Sequence, residues 1–245
     1  MCRHLLYLGE PQRLSRPLFE SPHSLCHQAY QPTDMRKGGT INADGFGVGW
    51  YAGDTALRYR RSTPIWSDTD LRHLADNTVA SAFLAAIRSA TVGMPVTQGA
   101  SAPFTDGRWL FSLNGRIEGW PHSVAKQASA LPVTELMTAD APTDAAFLWT
   151  LLRHRLRDND PVETVRDLVG ELAADAPGSR LNLLLTDGTR AIATTWWHAL
   201  SVRRDPSGVT IASEPLDADA AWQPIGDRQL VTATASEVDI SDLHI

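Results

Sequence analysis

From Asn42 to Tyr51 the chain reads NADGFGVGWY, with Gly45, Gly47 and Gly49 alternating with Phe46, Val48 and Trp50. Successive side chains of a strand point to opposite faces, so this strand is bulky on one face and bare on the other. A bare face marks the close approach of another backbone layer or of a ligand. The glycine spacing does not match G-x-G-x-x-G and no helix follows, so the stretch is not a dinucleotide-binding loop. Whatever fold forms must bring something close to this strand.

The neighbouring segments supply the layers. CRHLLYLGE reads as a short strand closed by Gly9, and SPHSLCHQAY as a helix capped by Ser21 with Pro22 in its first turn. Gly53 and Asp54 turn the glycine strand back into TALRYRRS. SDTDLRHLADNTVA reads as a helix, SAFLAAIRSA as either a buried strand or a short helix, and RWLFSLNGRI as an apolar strand ending on Asn114-Gly115. In PTDAAFLWTLLRHRL, Phe147, Leu148, Leu151, Leu152 and Leu156 share one helical face. Asp160, Pro161 and Glu163 form the cap and first turn of a second helix through VETVRDLVGEL. RLNLLLTD, RAIATTWWHALSVRR and GVTIASEPL then read as three strands, separated by turns at Asp187-Gly188 and at Asp205 to Gly208. Strands in runs and helices in pairs favour an α+β arrangement of antiparallel sheets packed with helices over an alternating parallel fold. No repeat, linker or low-complexity stretch interrupts it.

Composition narrows the partners. The 245 residues, 43% hydrophobic and 20% charged, suit one large domain or two closely fused ones. The net charge of −6 comes from interspersed acidic and basic residues, which leaves no basic stripe for nucleic acid and no polybasic membrane patch. No apolar run has transmembrane length, and the start lacks the charged-then-apolar pattern of a secretion signal. Cys2 and Cys26 cannot make a disulfide framework, so a reduced, cytoplasmic setting is expected.

Cys2 stands directly behind the initiator. Its side chain permits removal of Met1, after which thiol and α-amine share one carbon. An α-amine has an ordinary pKa of about 7.7–8.0 and serves as a base near neutral pH. The eight histidines fall in no catalytic spacing, and this arrangement needs none. Asn114-Gly115 reads either as a hairpin turn or as two donors, side-chain amide and backbone N–H, for an oxyanion. Arg88, among small and apolar residues, requires a partner: an internal aspartate or a substrate carboxylate held in a bidentate fork. Thr143 or Asp144 caps the following helix, and Asp144 can instead accept hydrogen bonds from a substrate ammonium. Most of the eight tryptophans read as packing residues, and Cys26 as a core residue on an apolar helical face.

Taken in order, Cys2, NADGFGVGWY, RSATVG, LNGRI, the helix at Asp144 and ASEPLD resemble class II glutamine amidotransferases, which are N-terminal nucleophile hydrolases. The resemblance runs from Cys2 to about Gly226 and implies a four-layer αββα sandwich, taken as a single domain over residues 2–245. It implies Cys2 as nucleophile, Asn114 and Gly115 as oxyanion hole, Arg88 as carboxylate anchor and Asp144 as ammonium anchor of a γ-glutamyl group. Neither metal nor cofactor is implied, the partner is a small γ-glutamyl molecule, and the oligomeric state is open. Val92 stands where amidotransferases that pass ammonia onward commonly have a histidine, and no synthetase domain is expected before Ile245. SATVGMPV, YRRSTPIWSDTDL and ASEPLDADAAW look most like the amidohydrolase branch of ergothioneine biosynthesis. That branch cleaves γ-glutamyl-hercynylcysteine S-oxide to glutamate and hercynylcysteine S-oxide, and an aromatic wall would suit the trimethylammonium group. The alternatives are a glutaminase-type subunit acting on glutamine or another γ-glutamyl compound with a partner, and a non-catalytic γ-glutamyl-binding module.

Overall fold

In the computed structural model, which describes residues 2–36 and 39–243, the bare face of the glycine strand lies against a second sheet. The strands are β1 (Arg3–Arg13), β2 (Phe46–Ala52), β3 (Thr55–Arg61), β4 (Val79–Ile87), β5 (Phe104–Thr105), β6 (Leu110–Arg116) and β7 (Arg180–Thr186). They continue with β8 (Ala191–Thr195), β9 (Ser201–Asp205), β10 (Gly208–Ala212), β11 (Trp222–Pro224), β12 (Gln229–Ala233) and β13 (Val238–Asp242). The helices are α1 (Leu25–Gln28), α2 (Thr69–Asn77), α3 (Ala125–Ser129), α4 (Val133–Met137), α5 (Asp144–Arg155) and α6 (Pro161–Asp175). Among the described residues the strands form two antiparallel sheets, ordered β11-β9-β10-β1-β4-β2-β3 and β13-β12-β8-β7-β6-β5.

Strand alternation sorts the apolar residues into three cores. Leu5 and Tyr7 of β1, with Phe83 and Ala85 of β4, pack on Leu25 and Leu71 of α1 and α2. Leu6, Leu8 and Leu84, from the opposite faces of the same strands, meet Leu110, Leu184 and Val231 of the second sheet. Phe111, Leu113, Leu183 and Leu185 face outward from that sheet onto Leu148, Leu152, Leu168 and Leu172 of α5 and α6. Each fully buried Leu or Phe contributes about 1.5–3 kcal/mol, so all three interfaces are needed to hold the layers. The result is the expected four-layer αββα sandwich. Between the sheets, a Cβ on Gly49 would come to 2.6 Å from Leu110 Cδ2, and one on Gly47 would strike the Ala102 carbonyl oxygen. The layer anticipated from the bare strand is β5 and β6 with the loop that leads into them.

Local signals placed α2, α5 and α6. Asp68 accepts from Leu71 N (2.8 Å) to cap α2, and Asp160 accepts from Val162 N (2.9 Å) to cap α6. SAFLAAIRSA resolves as the strand β4, paired on both sides and buried over most of its length.

Four expectations need correction. Gly9 does not close β1, which runs on to Arg13 with a register shift between Leu8 and Gln12. Ser21 does not cap α1: its hydroxyl donates to the Arg16 carbonyl (3.0 Å), closing a wide helical turn over Arg16–Glu20, and Ser24 caps α1. RAIATTWWHALSVRR is two strands in different sheets, β8 and β9. Buried Asn182 interrupts it, accepting from Trp196 N (2.9 Å) and His198 N (3.0 Å) and donating to the His198 carbonyl (2.9 Å). Asn114-Gly115 is not a hairpin turn, because β6 continues to Arg116 in register with β7. The strands β5, β11, β12 and β13 and the short helices α3 and α4 were not anticipated.

Candidate active site

Antiparallel pairing of β1 with β4 sets Arg3 opposite Ile87, so the residue before β1 lies beside the residues after β4. Cys2 is half-buried there, and its Sγ donates to the Ser89 carbonyl at 3.7 Å. Met1, and with it the question of its removal, lies outside the described residues. The ends of β4, β6 and α5 meet around Cys2 in a narrow hollow. Cys2, Arg88, Gly115 and Asp144 all line it, with Ser89, Thr91, Met94, Phe104 and Ser112.

Arg88 follows β4 directly. Its backbone N–H donates to Gly45 O (2.7 Å), and Nη1 donates to the carbonyls of Pro95 (3.0 Å) and Asp44 (3.5 Å). Among the described residues it forms no ion pair with a carboxylate, so the internal salt bridge is not its role. Asp44 spends its carboxylate on Ala90 N (2.8 Å), holding the loop after Arg88. The guanidinium is positioned by neutral carbonyl oxygens.

Asp144 opens α5, while Thr143 is the cap, accepting from Ala146 N at 3.2 Å. Asp144 is therefore free of capping duty. Its Oδ2 accepts from Ile117 N and its Oδ1 from Ala145 N, both at 2.9 Å. Burial pushes this carboxyl above its usual range, against the two backbone donors and the nearby Arg88 charge, which draw it back.

Gly115 lines the hollow. Leu181, directly opposite it on β7, gives its N–H to Trp196 O on the β8 side. The Gly115–Leu181 pair is therefore the non-hydrogen-bonded kind, and the Gly115 N–H points away from β7. A Cβ at this position would collide with the Arg180 carbonyl oxygen, which requires glycine. Asn114 does not line the hollow. It is buried, with Nδ2 3.5 Å from Ser213 Oγ and, among the described residues, no hydrogen-bond partner for Oδ1.

Two groups that hold the start of β1 were not foreseen from the sequence. Arg3, 1% exposed, donates from Nε to Glu214 (2.8 Å), from Nη1 to the Cys2 carbonyl (3.1 Å) and from Nη2 to the Asp34 carbonyl (2.7 Å). Glu214 also takes Thr33 N (2.8 Å), Thr33 Oγ1 (2.7 Å), Asp34 N (3.2 Å) and His23 Nε2 (2.6 Å). These bonds outweigh burial and bring its pKa down to about 2. The available signal was a charge beside the buried run HLLYL, which demands a partner. His4, buried and 3.2 Å from Ser112 Oγ, is pushed down to about 3 by burial and so is neutral at pH 7. Among the described residues no histidine bonds Cys2, and no cluster of three or more His, Cys, Asp or Glu is arranged to hold a metal ion.

The model of the class II glutamine amidotransferase family matches residues 18–209. With that match, the chain belongs to the class II glutamine amidotransferases. Within the class it is 37% identical over 246 residues to the γ-glutamyl-hercynylcysteine sulfoxide hydrolase of Mycolicibacterium smegmatis, covering 100% of this chain and 98% of that one. It is 38% identical over 244 residues to the protein of the same name from Mycobacterium tuberculosis, covering 99% and 97%. A glutamine aminotransferase class-II domain protein from Silicibacter pomeroyi has the same fold, with a TM-score of 0.72, 23% identity and 100% of both chains covered.

Proposed function

We propose that this chain hydrolyses the γ-amide of γ-glutamyl-hercynylcysteine S-oxide, releasing glutamate and hercynylcysteine S-oxide. The observation that carries the reading is one hollow lined by a half-buried thiol, an arginine with no carboxylate partner among the described residues and a carboxyl whose pKa burial raises. Its relatives at 37% and 38% identity over nearly the whole chain carry that activity in their names.

Arg88 takes the glutamyl α-carboxylate in its fork, and Asp144 takes the α-ammonium. The γ-carbonyl then falls at Cys2. The α-amine of Cys2 accepts the thiol proton, sulfur attacks the carbonyl carbon of the γ-amide, and the carbonyl electrons move onto oxygen. The Gly115 N–H receives that oxyanion, with the Asn114 amide as second donor once its side chain turns from Ser213. The oxyanion collapses, the C–N bond breaks, and the departing nitrogen takes the proton held by the α-amine. Water, deprotonated by the same amine, adds to the thioester and releases glutamate and free thiol.

The test compares glutamate release from γ-glutamyl-hercynylcysteine S-oxide, glutamine and glutathione at equal concentration. The S-oxide is expected to react much faster than either of the others. A clear preference for glutamine would overturn the reading in favour of a partnered glutaminase.

A further inference from the structure

A second hollow opens on the same thiol. It shares Cys2, Ser89, Thr91 and Gly115 with the first but is lined by Arg116, Arg180 and His198 in place of Arg88 and Asp144. The two hollows therefore divide the charged groups around Cys2. If the first holds the glutamyl half of a γ-glutamyl amide, the second receives the departing amine.

Arg116 ends β6 and Arg180 begins β7, and the two are directly opposite in the sheet register. Like charges in that position repel, and a fold has no packing reason to place them there. Among the described residues Glu118 hydrogen-bonds only Arg116, its Oε2 accepting from Nη2 at 2.6 Å, while its charge partly offsets the repulsion felt by Arg180. Arg116 Nε is buried with no hydrogen-bond partner among the described residues. Arg180 forms no ion pair among the described residues, and its guanidinium stacks 5.3 Å from the ring centre of Trp197, whose backbone has a left-handed φ of 90°. Burial and the Arg116 charge both lower the pKa of Arg180, a state that a bound anion would relieve.

His198 supplies an independent sign. It is 2% exposed, it lines the same hollow, and its Nδ1 has no partner among the described residues. Burial first, then the Arg180 and Arg3 charges, push it down to about 3, so the ring is neutral and can donate one N–H without adding charge. A buried, unpaired polar atom in a wall of two arginines is a half-made binding site. The matching ligand is a planar carboxylate, which takes guanidinium forks in two parallel hydrogen bonds.

We propose that Arg116 and Arg180 form the leaving-group subsite and bind a carboxylate on the α-carbon of the departing amine, with His198 as an additional donor. The proposal rests on the γ-glutamyl reading above and deepens it. The substrate class becomes γ-glutamyl amides of α-amino acids whose α-carboxylate is free. Glutamine, whose leaving group is ammonia, leaves this subsite empty. Glutathione presents an amide where the carboxylate belongs.

The test uses two substrates of nearly equal size, γ-glutamylalanine and γ-glutamylethylamide, which differ by that carboxylate. Wild-type protein is expected to favour γ-glutamylalanine at least tenfold in kcat/KM. Arg180→Gln and Arg116→Gln should each lower that ratio about tenfold, and Arg180→Lys should recover part of it. Because the readout is a ratio within one preparation, a partly folded variant does not distort it. A ratio unchanged in both glutamine variants would overturn the proposal. If wild-type protein releases glutamate from neither amide, nor from the S-oxide, the γ-glutamyl reading itself fails. Binding of N-acetylalanine and N-ethylacetamide to Cys2→Ala, by calorimetry, then decides the subsite alone. Arginine-dependent binding of N-acetylalanine supports it, and equal or absent binding of the two overturns it.

Discussion

Cys2→Ala is expected to release no measurable glutamate while keeping its fold. The ladder between β1 and β4 starts at Arg3, so the backbone pairing does not depend on Cys2. The thiol's one hydrogen bond is a long 3.7 Å contact to Ser89 O, and its loss should change stability by no more than about 1 kcal/mol. The chemical loss is total because no other group near the hollow can form the thioester. Cys26, the other thiol, is pushed up by burial and packs beside the core of α1 and α2. Blocking the amine should separate base from nucleophile. Protein that retains Met1, or carries an N-terminal tag, keeps the thiol but has an amide in place of the base. Its rate should fall by about 10²–10⁴, the usual contribution of a positioned general base. The measurement is glutamate release by preparations whose N-terminus is verified by mass. Full activity with Met1 in place would remove the α-amine from the mechanism.

Glu214→Ala should cost about 3–5 kcal/mol of stability, the range for removing one member of a buried ion pair. The guanidinium of Arg3 would be left in the interior with only the carbonyls of Cys2 and Asp34, and the Thr33 and Asp34 amides would lose their acceptor. Glu214→Gln retains one acceptor oxygen and should lose less. The pH dependence follows from the depressed pKa of about 2 against an ordinary 4.5. The unfolded chain binds this proton first, so the contribution is complete above about pH 4.5 and is lost as pH falls toward 2. Urea unfolding at pH 7 and at pH 3 reads both effects. Wild-type stability should drop between the two, and that drop should be smaller in Glu214→Ala. An equal drop in both proteins would show that another group governs acid unfolding.

The features legible in the sequence were those whose cause is local. Apolar spacing and the Asp160 cap define α5 and α6 within a few residues, and Gly47 and Gly49 announce the second layer by having no side chain to obstruct it. What failed was set at a distance. TTWWHALS reads as continuous strand because the residue that breaks it, Asn182, lies on another strand. Ser21 is a good cap by type, but Arg16 had already taken its hydroxyl. The hairpin β12–β13 lacks a strong turn pair, and much of β13 faces solvent, which blurs its alternation.

The site divides in the same way. Each of Cys2, Arg88, Gly115 and Asp144 carried its own chemical argument, yet no spacing in the chain states that they share a hollow. Their meeting is a product of the β1–β4 pairing and of β6 reaching α5 through the Ile117–Asp144 bond. Asn114, one residue from Gly115, is not among the residues that line the hollow, its amide lying 3.5 Å from Ser213 Oγ. The pair Arg116–Arg180 was not legible at all, since a cross-strand opposition exists only once the register is known.

The central claim is a covalent γ-glutamyl group on the sulfur of Cys2. Acid quenching during turnover of γ-glutamyl-hercynylcysteine S-oxide, followed by mass mapping of the peptides, tests it directly, with Cys2→Ala run alongside. The account predicts one γ-glutamyl group on the N-terminal peptide, that peptide beginning at Cys2, and no such group in the variant. A γ-glutamyl group on Cys26, or undiminished glutamate release by Cys2→Ala, would contradict it.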